Sequence, residues 1–218
     1  SGCSSLLRIA LPFTVTSIGE DAFRECIRLA NVQLSEGLRQ IGTAAFSDCR
    51  ALRHVSIPST VRVIQSRTFR RCISLGEIQL SEGLVEIQND AFENCSFVAT
   101  VSLPSTLQRL SGFQNCSSLS DVKLNEGLIS IGYKSFLHCG SLVRVHIPST
   151  VEGISESAFG HCYALLEMVL PEGLRIIGPK AFHSCHSLQR VSLPSTLETI
   201  PAQLFANCIA LVDVYLSE

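Results

Sequence analysis

Gly42-Thr43-Ala44-Ala45-Phe46-Ser47-Asp48-Cys49-Arg50-Ala51-Leu52-Arg53-His54-Val55-Ser56-Ile57-Pro58-Ser59-Thr60-Val61-Arg62-Val63-Ile64 contains one complete structural unit. Leu52, Val55 and Ile57 fall three, six and eight places after Cys49, and the alternation over Val55-Ser56-Ile57 predicts a short strand with one buried face. Pro58-Ser59-Thr60 then turns the chain, because proline presets its own φ. A second aliphatic pair, Val61 and Ile64, follows. Upstream, Phe46 and Cys49 are three apart, a spacing that predicts neighbours on one face of a helical turn.

The unit recurs along the whole chain. Ten cysteines, Cys3, Cys26, Cys49, Cys72, Cys95, Cys116, Cys139, Cys162, Cys185 and Cys208, are separated by 23 residues at every step except one of 21. Nine phenylalanines, Phe23, Phe46, Phe69, Phe92, Phe113, Phe136, Phe159, Phe182 and Phe205, hold the Phe46 position. A unit of this size cannot bury its apolar face alone, so about ten 23-residue coils must stack around a shared core. The expected fold is a repeat solenoid spanning residues 1–218 as a single domain. Ten parallel strands at roughly 4.8 Å spacing would extend on the order of 43 Å.

Composition narrows the function. The chain has 218 residues, 46% apolar and 17% charged, so it carries enough apolar material for a core. No apolar run approaches the roughly 18 residues of a membrane span. A net charge of -2 gives no general attraction to nucleic acid. With no tryptophan and three tyrosines there is little to stack on sugars or unpaired bases. No Gly-rich phosphate loop, nucleophile elbow or zincin helix is present, so no catalytic residue, cofactor or metal is expected and the chain is read as a non-enzyme.

The pattern Leu-x-x-Val-x-Ile-Pro-Ser-Thr-Val-x-x-Ile followed by Gly-x-x-Ala-Phe-x-x-Cys resembles the leucine-rich repeats of the BspA type over essentially the whole chain. The resemblance implies a concave parallel sheet of short strands and a convex back of short strand plus helical turn. It also implies a protein-binding or adhesion scaffold, secreted or on a cell surface, without enzymatic activity and with a protein or surface ligand as partner.

Several features lie outside the repeat consensus. Equivalent cysteines on neighbouring coils are too far apart and too parallel for disulfide geometry, which favours buried free thiols over disulfides or a metal. Asn94-Cys95-Ser96 and Asn115-Cys116-Ser117 match a glycosylation acceptor pattern, read as chance because a buried cysteine sits at each centre. Turns with Pro-x-Thr alternate with Glu-Gly turns (Glu36, Glu82, Glu126, Glu172), a deeper period of 46. The residue before each inward Val runs Arg8, Asn31, His54, Glu77, Thr100, Asp121, Arg144, Glu167, Arg190, Asp213. From Asp121 the sign alternates, which predicts a ladder of ion pairs on the concave face.

That ladder, flanked by Arg53, Gln79, Lys123, His146 and Tyr215, is the candidate partner-binding strip. The two residues missing between Cys95 and Cys116 predict a gap that Phe97 fills, the alternative being a kink or an exposed contact patch. His138, His161, His183 and His186 are expected to stack near one edge, a metal site being the less favoured reading. Arg50, Arg62, Arg67, Arg70 and Arg71 form a basic patch, solvated or facing an anion. Neither end carries a polar cap, so the chain is expected to be a segment of a longer array. The alternative is a head-to-tail filament with Val212 to Leu216 of one copy beside Leu6 to Leu11 of the next.

Overall fold

In the computed structural model, which describes residues 2–216, the chain winds as stacked coils with two strands per turn. The longer strands, one per coil, are β1 (Arg8–Ala10), β3 (Asn31–Gln33), β5 (His54–Ile57), β7 (Glu77–Leu80), β9 (Thr100–Ser102), β11 (Asp121–Lys123), β14 (Glu167–Val169), β16 (Arg190–Leu193) and β17 (Asp213–Leu216). The two-residue strands opposite them are β2 (Ser17–Ile18), β4 (Gln40–Ile41), β6 (Val63–Ile64), β8 (Glu86–Ile87), β10 (Arg109–Leu110), β12 (Ser130–Ile131), β13 (Gly153–Ile154) and β15 (Ile176–Ile177). All pairings are parallel and in register, coil to coil. The core lies between the two strand rows. Leu52, Val55, Ile57, Val61, Ile64 and their equivalents are buried, each contributing about 1.5–3 kcal/mol on full burial.

Two expectations about the backbone need correction. The first strands do not line one continuous sheet. They form three ladders, β1-β3-β5-β7, β9-β11 and β14-β16-β17, whereas the short strands make the unbroken eight-stranded sheet. Nine of the ten expected first strands form among the described residues. In coil seven Val145 and Ile147 are buried, but the backbone around them makes no ladder. Burial of the inward side chains, which needs no backbone pairing, holds that rung.

The second correction concerns the Ala-Phe-x-x-Cys segment, which is not helical. Each coil instead places two residues in the left-handed region, one before Ala-Phe and one before Cys, as at Ala44 (φ 52°) and Asp48 (φ 59°). The amides then alternate in direction. Ala45, Ser47 and Cys49 bond within the turn, while those of Ala44, Phe46 and Asp48 bond to carbonyls of the next coil at 2.7–3.1 Å. A helical turn would direct these amides back along its own chain and forfeit the inter-coil bonds.

These turns align the phenylalanines into an unbroken stack from Phe23 to Phe205, with ring centroids 5.0–6.0 Å apart. They also aim each thiol. The Sγ–H groups of Cys49, Cys72, Cys95, Cys116, Cys139, Cys162, Cys185 and Cys208 donate to the carbonyl of the phenylalanine one coil earlier at 3.0–3.3 Å. Burial pushes the thiols of Cys49, Cys116 and Cys162 up to about 12.

The period of 46 has a physical basis. Glu36, Glu82, Glu126 and Glu172 each accept hydrogen bonds from the amide and hydroxyl of the serine in the next coil's Pro-Ser-Thr turn, as from Ser105 to Glu82 at 3.0 and 2.9 Å. The neighbouring threonine hydroxyls donate to leucine carbonyls of the glutamate's coil at 2.5–2.8 Å. These clamps join coils two to three, four to five, six to seven and eight to nine. On the long-strand side the ladder shrinks to the single pair Asn31–His54 at the first of these interfaces and is missing at the next two. Side-chain clamps therefore bridge three interfaces where backbone pairing is thin; the fourth lies over the full β14–β16 ladder, and among the described residues the interface between coils seven and eight has neither a long-strand ladder nor such a clamp.

The short coil is closed by glycine, not by Phe97. Gly112 takes φ +103°, and a Cβ there would stand 2.7 Å from the Gln88 carbonyl oxygen. Phe113 thereby stays fully buried between Phe92 and Phe136. Phe97 is 68% exposed, which rules out the filling role, and its ring lies over Gly76.

Candidate interaction surface

Alternation along the long strands sends Val, Ile or Met inward and leaves the residues on either side at the surface, except that Ser192 of β16 is buried as well and Val214 of β17 is exposed. Register then sets like positions side by side: Arg8 with Asn31, Asn31 with His54, His54 with Glu77, Thr100 with Asp121, Glu167 with Arg190, and Arg190 with Asp213. The predicted row is thus brought onto one face, with Arg144 on the unpaired rung. Its electrostatics are looser than a continuous ladder. His54 Nδ1 lies 3.4 Å from Glu77, Arg144 Nε 3.7 Å from Glu167, and Arg190 Nε 3.7 Å from Asp213. Asp121 joins no ion pair among the described residues.

Of the flanking residues, Gln79 donates to Glu77 at 3.1 Å, and Arg53, Lys123, His146 and Tyr215 are exposed. At one end the face hollows into a depression of about 610 Å³ floored by Arg8, Asn31, Gln33 and His54. A second, of about 510 Å³, is lined by Arg53, Ser74, Gly76, Glu77 and Phe97. Phe97 and Val169 are exposed apolar contacts that the charge pattern did not nominate. Their signal was a large apolar residue where equivalent coils carry small or polar ones.

The basic patch is mostly neutralised. Arg50 and Arg71 share Asp48, Arg67 pairs with Asp90, and Arg70 pairs with Glu93, leaving Arg62 alone of the five. The histidines do gather. His138 and His161 stack at 4.2 Å, His183 meets His161 edge-on at 4.5 Å, and His186 packs on Tyr163 at 5.0 Å. Burial, with the charge of neighbouring imidazoles added, lowers the His138 and His161 pKa values. The Nδ1 of His183 faces the Lys180 carbonyl and that of His161 faces the Tyr163 hydroxyl. No group of three His, Cys, Asp or Glu side chains among the described residues is placed to hold a metal ion. No helix of the described residues is long and apolar enough to cross a membrane.

Family comparison matches residues 1–112 and 109–218 to the BspA type leucine rich repeat region, in six copies. No curated protein matches the sequence. Among solved structures, a leucine-rich repeat protein from Bacteroides ovatus is similar, with TM-score 0.75 and 28% identity over 95% of this chain; the chain spans 60% of that protein's length. The T. pallidum leucine rich repeat protein is similar with TM-score 0.61 and 27% identity, covering 75% of this chain and 72% of its own. A leucine rich cell surface protein from Faecalibacterium prausnitzii shares the fold at TM-score 0.51 and 23% identity, covering all of this chain and 74% of its own.

Proposed function

The chain belongs to the BspA-type leucine-rich repeat family, and from that premise we propose that it is a non-catalytic protein-binding or adhesion scaffold that engages its partner through the long-strand face. One observation carries the reading: the charged row from Asp121 to Asp213 stands exposed, held by ion pairs no tighter than 3.7 Å. Exposed pairs of this kind are worth about 0.2–1 kcal/mol, so the side chains are available to a partner at little cost. Arg53, His54, Glu77, Gln79, Lys123, His146 and Tyr215 extend the contact row. Placement on a cell surface or in the secreted fraction, within a longer array, is part of the proposal; the F. prausnitzii protein is described as a cell surface protein.

The test is binding of the chain to an array of extracellular-matrix proteins and to cultured cells. Joint reversal of Arg144→Glu and Arg190→Glu should abolish binding, while Arg67→Glu on the far side of the coil should leave it intact. Equal binding by both variants would refute the assignment to this face. A second reading, end-to-end assembly, draws on apolar side chains exposed on the outer coils, Phe13 at 79% and Ile209 and Val212 above 80%. Light scattering that stays monodisperse as concentration rises would eliminate it.

A further inference from the structure

Arg24, Arg50, Arg67, Arg70, Arg71 and Arg109 each have a carboxylate within 4 Å. Arg8, Arg28, Arg39, Arg53, Arg62 and Arg175 have none among the described residues, and of these Arg39 and Arg62 stand on successive coils; neither of the two side chains makes a hydrogen bond among the described residues. They occupy equivalent places on successive coils, immediately before β4 and β6. Strand spacing sets such positions about 4.8 Å apart, where like charges repel.

The backbone at this rung is also exceptional. At this place the amide donates to its equivalent one coil earlier at Arg39–Thr16, Val85–Arg62, Gln108–Val85, Ile129–Gln108, Glu152–Ile129 and Arg175–Glu152, all at 2.8–2.9 Å. The bond from Arg62 to Arg39 is missing from this series, and the strand register there reduces to Ile41 with Ile64. A groove of about 560 Å³ opens at the gap, lined by Arg39, Gln40, Thr60, Arg62, Val63 and Gln65. It therefore offers two guanidiniums, a spare backbone amide and carboxamide donors, with no carboxylate in its lining.

We infer that Arg39 and Arg62 form a subsite for a single tetrahedral oxyanion, a phosphate or sulfate monoester group, on the short-strand face. The negative charge there, one unit for a sulfate monoester and up to two for a phosphate monoester, offsets the repulsion between the two guanidiniums, and each planar fork matches an oxyanion edge. The row also excludes a polyanion. The same place on the other coils holds Thr16, Val85, Gln108, Ile129, Glu152, Arg175 and Glu198; the further cation, Arg175, stands between two glutamates, so no cationic track continues from the pair. This site lies across the core from the proposed partner-binding row and does not depend on it.

Arginine Nε–H resonances of the isotope-labelled chain, followed at constant ionic strength, test the site with inorganic phosphate, inorganic sulfate and a heparin oligosaccharide as separate probes. Saturable shifts confined to Arg39 and Arg62 are expected with phosphate or sulfate, and whichever saturates at lower concentration identifies the ester. Arg39→Gln or Arg62→Gln alone should weaken binding about tenfold or more, and the double variant should lose it. Arg67→Gln, whose arginine already has Asp90, should bind as the parent does. Both target side chains are exposed, and an unchanged melting temperature confirms that the variants fold. Non-saturating shifts spread over all arginines, undiminished binding by the double variant, or saturation by heparin alone would each overturn the inference.

Discussion

A cysteine at the Phe-x-x-Cys corner is small enough for the crowded interior and still carries a proton to donate. Its Sγ–H reaches the phenylalanine carbonyl of the preceding coil, an oxygen that also accepts the amide of that coil's own cysteine, as Phe113 does from Cys116 and Cys139. Alanine would remove the donor and leave a void. Cys139→Ala is therefore expected to lower the unfolding free energy by about 1–2 kcal/mol, and Cys139→Ser, which keeps a donor, by less; denaturant unfolding of the three proteins measures the order. The thiols also set an alkaline limit. The folded pKa values of Cys49, Cys116 and Cys162 lie near 12 against the ordinary thiol value of 9.0, so the unfolded chain releases these protons first. The stabilisation is complete below pH 9 and is lost as pH rises from 9 toward 12. Melting temperature followed across that window should fall, and a flat profile would contradict the assignment. At neutral pH an alkylating reagent should modify exposed Cys3 well before the buried thiols.

At the scale of the turn, the glutamate clamps explain why coils alternate in type. The carboxylates of Glu82 and Glu126 are held below the usual range, for Glu82 first by the Ser105 amide and for Glu126 first by the Ser149 hydroxyl. A depressed folded pKa means that the clamp's contribution is present above the unfolded value and lost as pH falls through the folded one. Amide exchange at Ser105 and Ser149 should then rise on acidification relative to Phe92, whose amide bonds to the Gly112 carbonyl. Glu82→Gln should raise exchange at Ser105 and make it insensitive to pH in the carboxylate range. The alternation was readable as a 46-residue period, but the clamp was not, because Glu-Gly reads as a turn whether or not its carboxylate has a partner. The left-handed residues were only partly readable. Asp48, Asn94, Asn115 and Asn207 carry the residue types that tolerate that region, while Ala44, Arg67, Lys134 and Lys180 share the conformation without the signal.

Over the whole molecule, each coil touches only its neighbours, so stability is a sum of interface contributions. Regular spacing made the core legible: a 23-residue period places Phe, Cys and Leu in register however the backbone between them turns. The same regularity placed the charged row on one face. It did not reveal that the row's ion pairs break at Asp121, because that depends on a rung whose backbone makes no ladder. The phenylalanine stack, running from Phe23 to Phe205, crosses the interfaces where the long-strand ladder is interrupted, and with the glutamate clamps it couples the three ladders on the long-strand side. Phe113 sits in the short coil, between the interrupted rung at coils four and five and that at six and seven. Phe113→Ala is expected to cost about 3–5 kcal/mol and to separate the array into two unfolding transitions, read by hydrogen exchange as unequal opening of residues 8–80 and 167–193. Phe23 is only partly buried and has a single stacking partner, so Phe23→Ala should cost less and leave one transition. A single concerted transition in Phe113→Ala with uniform exchange would mean that the short-strand sheet, continuous through coil eight, couples the coils without the aromatic column.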